Sequence, residues 1–287
     1  MVLDLLRVVA CVGLLALPTG TALAADLKPA TVAAFDRYVR IAEARMATEV
    51  ADPRRFLIID TDTEAARKAR LAELRAGRIS IERLEAKEGG RTIDIPDGLV
   101  HHWVGLIFVP GGTAATAVAL LKDYERHDEV YKPAVQRSAV LSQDGDSLRV
   151  FLRFFMKKVL AVTLNTDHDA RFTTISPMRA YSRIVSTRIQ EVADAGTSAE
   201  HELPVGHDGG FLWRINSYWR FDERDGGVYI QCESISLSRG IPLGFGWIVG
   251  PFVTSIPRES LTFTLETTRK VLAGGVAPGA KPPGAVR

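Results

Sequence analysis

Two runs of strand-forming residues, FLWRINSYWRF (211–221) and VYIQCESISL (228–237), flank a turn built on Asp225-Gly226-Gly227. An Asp-Gly turn between such runs is the strongest short-range signal for a β-hairpin. Centring the turn on Asp225-Gly226 sets Trp219 opposite Cys232 and Tyr218 opposite Glu233. The period of two then divides the first strand into faces. One face carries Phe211, Trp213, Ile215, Ser217, Trp219 and Phe221, the other Arg214, Asn216, Tyr218 and Arg220. A long hairpin, an apolar glycine-rich connection and a closing amphipathic helix together predict a curved antiparallel sheet holding a helix.

The ends of the chain set its expected compartment. Arg7, the apolar run VVACVGLLAL and the Ala22-Leu23-Ala24 pattern read as a secretory signal, with cleavage expected after Ala24 and a periplasmic or secreted product. Cys11 lies inside that apolar run, where lipidation sites do not fall. Removing the segment leaves Cys232 as the single cysteine, so no intramolecular disulfide is expected despite export. Stability must come from a buried core, which a chain this long can supply. The net charge of +2 gives no case for nucleic acid, which needs a clustered basic face. Residues 274–287, rich in Pro, Gly and Ala, read as a disordered tail.

Between these ends, residues 25–98 read as a helical extension with short strands. Val32, Phe35, Val39, Ala42 and Met46 recur at helical steps, and Thr61 or Asp62 starts a second helix that stops at Gly77. The run Phe56-Leu57-Ile58-Ile59 reads as a buried strand. From Leu99 the order is strand, helix, short helix, six strands and a final helix with Pro257 in its first turn and Leu261, Leu265, Thr268 and Leu272 on one stripe.

The carriers of a family likeness are VGLIFVP followed by TAATAVALLKDYERHDEVYKP, the hairpin SAVLSQDGDSLRVFLRF, and YWRFDERDGGVYIQCESISLSRGIP before the last helix. In pattern and order, residues 99–273 resemble the helix-grip fold of the START and polyketide-cyclase-like superfamily, which also contains the Bet v 1 proteins. The resemblance implies an α+β domain with about seven strands wrapped around a long C-terminal helix. It also implies a cavity between sheet and helix that holds lipids, sterols or aromatic compounds, in some members with cyclase activity. No metal or organic cofactor is expected.

Several residues could line such a cavity. Trp213 and Trp219 share the first hairpin face with Ser217, Cys232, Ser234 and Ser236, and large beside small on one surface leaves room for a ligand. The alternative is that the helix fills that space. The opposite face carries Arg214, Tyr218, Arg220 and Glu233, with Arg188 if its strand pairs nearby. An Arg–Glu pair there would orient a polar ligand group; the ordinary alternative is a solvated charge ladder. His101 and His102 are adjacent on a strand and point to opposite faces, and His201-Glu202 lacks the second histidine of a zinc motif, so no metal site is read from the six histidines. His102, on an otherwise apolar face, reads as a satisfied core residue. Gly244-Phe-Gly246 imitates a dinucleotide fingerprint without the βαβ unit it needs. The segment GIPLGFGWIVGPF (240–252) reads as a loop that either covers the open end of the sheet or forms a lip, at Trp247 and Ile248, touching membrane as ligand enters. Three functions stay open: a carrier of a hydrophobic molecule, a cyclase- or hydrolase-type enzyme using Arg188, Tyr218, Glu233 or His102, and an interaction module with a filled core.

Overall fold

A computed structural model describes residues 25–157, 161–240 and 246–274, with side chains of 246–254 outside the description. The expected signal segment, the tail from 275 and the side chains of Trp247 and Ile248 therefore lie outside the described residues.

The chain opens with β1 (Ala25–Asp26), α1 (Pro29–Ala51), a 3₁₀ turn (Ile58–Thr61), α2 (Glu64–Arg75) and the short strands β2 (Ser80–Arg83), β3 (Lys87–Glu88) and β4 (Arg91–Thr92). Then come β5 (Gly98–Pro110), α3 (Ala114–Lys122), α4 (His127–Val130), β6 (Val135–Asp144), β7 (Ser147–Lys157), β8 (Ala161–Ser176) and β9 (Arg179–Ala193). The remainder is β10 (His201–Glu202), β11 (His207–Asp208), β12 (Arg214–Arg224), β13 (Gly227–Arg239) and α5 (Gly246–Ala273). One antiparallel sheet runs in the order β2-β5-β13-β12-β9-β8-β7-β6, with β10 added to β9. Seven of its strands are long, as expected, and β2 and β10 are short additions.

The hairpin turn sits where its sequence places it. Asp225 and Gly226 both take positive φ (59° and 74°), the backbone that a two-residue turn matched to strand twist requires. Trp219 pairs with Cys232 and Tyr218 with Glu233, the register read from the turn. On one side of the sheet, residues from β5, β7, β8, β9, β12 and β13 form a single buried cluster with Leu261 and Leu265 of α5. Helix α5 lies against β5 and β13, and Ala114, Ala117 and Leu121 of α3 join the same cluster over β9 and β12. This is the α+β helix-grip arrangement.

Two local expectations are corrected. Phe56, Leu57 and Ile59 are buried, but the run enters a 3₁₀ turn at Ile58, because the Asp60 carboxylate accepts the Leu57 N–H at 2.8 Å and closes the backbone on itself. The last helix starts at Gly246, not near Ser255, and takes in Trp247, Ile248 and both Pro251 and Pro257. Glycine and proline weaken a helix, but that propensity is a weak prior that tertiary context overrides.

The sheet is covered on its other side too. Helix α1 lays Phe35, Tyr38, Val39, Ala42 and Met46 on Trp213, Tyr218, Ile235 and Leu237. Phe56, Leu57, Ile59 and Leu74 cover Leu106, Phe108 and Tyr229. We call the α5 side concave and the α1 side convex.

Candidate functional site on the concave face of the sheet

Strand register arranges the concave face in rows across the strands. The first row is Phe172, Ser182, Trp219, Cys232 and Gly105. Here α5 packs directly on the sheet: a Cβ on Gly105 would meet Leu265 Cδ1 at 2.3 Å. The second row is Ala170, Ile184, Ser217, Ser234 and Trp103. Its members Ile184, Ser217, Ser234 and Trp103 are only half-buried. The third row is His168, Ser186, Ile215, Ser236 and His101, with the Ser186 hydroxyl accepting the Ile215 N–H at 2.9 Å. Beyond it, Val162, Leu164 and Ile189 form a further buried cluster with Phe154, Met156 and Phe211 against it.

Of the residues expected to line a cavity, Ser217, Trp219 and Cys232 come together on this face. Burial pushes the Cys232 thiol far above its usual range, with the Glu233 charge adding to the shift, so it is not a nucleophile. Trp213 is a correction. It precedes the first residue of β12, where strict alternation does not hold, and packs on the convex side with Tyr218 and Ile235. Its indole N–H donates to Asp208 at 3.1 Å.

Two concave histidines are buried and neutral. Burial lowers His168 to about 4, only partly opposed by Asp167, and lowers His101 to about 4 with help from Arg83. His101 Nε2 lies 3.0 Å from the Ser238 hydroxyl. The Thr166 hydroxyl donates to the Leu152 carbonyl at 2.8 Å, so at 2.8 Å from His168 Nε2 its oxygen can only accept. That places the His168 proton on Nε2. Among the described residues Nδ1 is left as a buried lone pair with no hydrogen-bond partner, and the buried Ser182 hydroxyl has none either.

The opposite face is not a solvated ladder. Arg220, Gln231 and Glu233 are 2%, 1% and 1% exposed beneath α1, which brings its own charges to pair with them. Arg220 donates to Glu49 at 2.7 Å and to the Phe56 carbonyl at 2.8 Å. The Tyr38 hydroxyl, which accepts the Ala86 N–H, reaches His102 Nδ1 at 2.9 Å, and His102 Nε2 lies 2.6 Å from Glu233. Arg45 bonds both Glu49 and Glu233. Burial alone would raise the Glu233 carboxyl, but His102, Arg45 and Arg220 hold it below its ordinary value. The Tyr218 hydroxyl donates to Glu43 at 2.8 Å. His102 is the satisfied core histidine its surroundings suggested.

Tyr218 and Glu233 are thus clamps for α1, separated from the concave face by the sheet itself. Arg188 stands apart from them, held by Asp167 at 2.7 Å and by Glu202. Arg214 donates to the Trp213 carbonyl and lines a surface pocket of about 430 Å³ with Asp26, Val32 and Asp36. Sequence reasoning did not pick out Trp103, His168, Ser182 or Ser186. The available signal was Ser182 and Ser186, two small polar residues on one face of the strand either side of Ile184.

No protein-family model matches the chain, and no curated protein matches it in sequence. Among solved structures it is similar to a STAR-related lipid transfer protein from Xanthomonas axonopodis, at 14% identity over 67% of this chain and 98% of that one, with a TM-score of 0.44. It is also similar to human STARD10, at 10% identity over 73% of this chain and 81% of that one, TM-score 0.43. A third is the Zhui aromatase/cyclase from Streptomyces sp. R1128, at 12% identity over 62% and 99%, TM-score 0.38.

Proposed function

We propose that this chain binds a hydrophobic small molecule, non-covalently, on the concave face between the sheet and α5. One observation carries the reading. Ile184, Ser217, Ser234 and Trp103 lie in the middle of paired strands, between two buried clusters, yet are only half-buried. A helix packed to the density of an ordinary core would cover that row. Small hydroxyls next to Trp103 and Trp219 instead leave a concave, mostly apolar surface of the kind that takes a ligand. The acid–base groups considered from sequence, Tyr218, Glu233 and His102, lie across the sheet from this surface, which favours carriage over catalysis by them.

Titration with the uncharged probe N-phenyl-1-naphthylamine tests the site. Ser217→Leu should abolish probe binding while leaving the unfolding midpoint nearly unchanged. Normal binding with strong destabilisation would show a packed core and reject the site. Export, and ligand exchange with membrane through Trp247 and Ile248, belong to the same proposal on sequence grounds. They are tested by amino-terminal sequencing of the exported protein and by transfer between liposomes with a Trp247→Ser, Ile248→Ser double variant.

A further inference from the structure

We infer that the concave site selects an uncharged hydrophobe carrying a hydroxyl, and that this hydroxyl donates its proton to Nδ1 of His168. The inference rests on the concave site being the binding site, and it names the ligand's chemistry.

The first support is the distribution of charge. Between β8 and β5 the three rows contain Ser, Ile, Ala, Phe, Trp, Cys, Gly and His, and no Lys, Arg, Asp or Glu; Arg83 of β2, paired with Trp103, follows only at the exposed edge of the sheet. Further along β9, Glu191 is already engaged by the Gly209 N–H at 2.9 Å. A carboxylate, phosphate or ammonium group placed on these rows between β8 and β5 would lose its hydration and find no counter-charge among the row residues themselves, a cost of several kcal/mol per ion. An uncharged polar group loses far less if it finds one good partner.

The second support is a partner lacking its own. His168 is 3% exposed, and its tautomer is fixed by the chain Nε2–H to Thr166 hydroxyl to Leu152 carbonyl. Nδ1 therefore offers a lone pair and nothing else. Burial keeps the ring from protonating and becoming a donor there. A ligand carbonyl or ether would set lone pair against lone pair, whereas a ligand hydroxyl supplies the missing donor. Buried acceptors without donors are rare in folded proteins, so each one asks for a partner. His168 sits in the third row, next to the half-buried second row where the apolar body would lie.

Matched ligands separate the claims. 2-Naphthol, 2-methoxynaphthalene and 2-naphthoate share one ring system and differ in donor and charge. Competition against N-phenyl-1-naphthylamine on the whole purified protein at pH 7 should rank naphthol at least about tenfold tighter than its methyl ether, the usual worth of satisfying a buried polar group. Naphthoate should be weakest. His168→Leu should remove the naphthol preference while the methyl ether binds as before. His168→Gln, whose amide oxygen can accept, should keep part of the preference and covers the case in which the leucine variant fails to fold. Equal binding of naphthol and its ether, or failure of all three to displace a bound probe, overturns the hydroxyl inference. Tightest binding of naphthoate overturns neutrality. Loss of the site itself is read separately, from normal probe binding by Ser217→Leu.

Discussion

Replacing Arg220 by Met tests whether α1 is held by buried charge or by apolar contact alone. Arg220 is 2% exposed and makes two bonds to the N-terminal segment, one to the Glu49 carboxylate and one to the Phe56 carbonyl. Met fills similar volume, so little cavity forms. What remains is a half-neutralised Glu49 and a carbonyl without a donor. Breaking a buried ion pair from one side costs about 3–5 kcal/mol. Glu49 keeps Arg45, whose side chain is 37% exposed, so the lower end of that range, about 3 kcal/mol, is expected. For a chain of this size that corresponds to a fall in Tm of roughly 6–12 °C. Arg183→Met is the control, because Arg183 pairs with Glu43 from a half-exposed position and should cost less than about 1 kcal/mol. The assay is thermal unfolding by circular dichroism, with hydrogen exchange to follow α1 amides. If Arg220→Met costs no more than Arg183→Met, the buried network contributes nothing net and α1 is held by Phe35, Tyr38 and Met46 alone.

Acid should destabilise the fold well above the carboxylate range. His101, His127 and His168 are held near 4 by burial against an unfolded value near 6.5, so below pH 6.5 the unfolded chain takes up protons that the folded chain refuses. Stability is therefore complete above pH 6.5 and falls toward pH 4, by about 2 kcal/mol per histidine at pH 5. Urea midpoints at pH 7 and pH 5 measure this; His127→Phe should remove about a third of the dependence, and a flat profile refutes it. Gly105→Ala should cost about 1–3 kcal/mol, because the new Cβ meets Leu265 Cδ1 at 2.3 Å. Combined with Leu265→Ala it should cost clearly less than the sum of the two, and additivity would place the helix further from the sheet. A chain beginning at residue 99 should not give a folded monomer. It strips the cover from both parts of the convex face, Trp213, Ile235 and Leu237 under α1 and Leu106, Phe108 and Tyr229 under Phe56, Leu57, Ile59 and Leu74; a sharp, cooperative unfolding transition of that fragment would refute this.

The parts of this molecule visible in the sequence are those set by neighbours along the chain. Asp225-Gly226 fixed the hairpin register, and with it the pairs Trp219–Cys232 and Tyr218–Glu233. The stripe Phe35, Val39, Ala42 and Met46 located α1, and Leu261 and Leu265 located the face of α5 that meets the sheet. Period two separates the faces of a strand but does not say what covers each one. That is decided by elements more than a hundred residues away: Glu49 reaches Arg220, and Ile58 reaches Gln231. The charged face looked solvated because α1, whose Arg45 and Glu49 neutralise it, reads from its own sequence only as an amphipathic helix. Trp213 was misplaced because alternation was carried one residue past the start of the strand. The start of α5 was hidden by its glycines and prolines, which argue locally for a loop.

The two faces of the sheet have opposite chemistry because their covers differ. Helix α1 carries Glu43, Arg45 and Glu49 into contact, so the convex strand positions can hold Arg220 and Glu233 without leaving either charge alone. Helix α5 presents Leu261 and Leu265, with the Thr268 hydroxyl already bonded to Tyr131 at 3.0 Å, while among its described residues Arg258, Glu259 and Glu266 are exposed. Between β8 and β5 the concave rows carry no charge, and Arg83 follows Trp103 only at the exposed β2 edge. Charge therefore works in this protein to dock the extension, and the inner part of the concave face is left to hydroxyls, aromatic rings and imidazole. Substitutions at Glu233 and Ser217 should then separate cleanly, the first acting on the stability of α1 against the sheet and the second on what the concave face can hold.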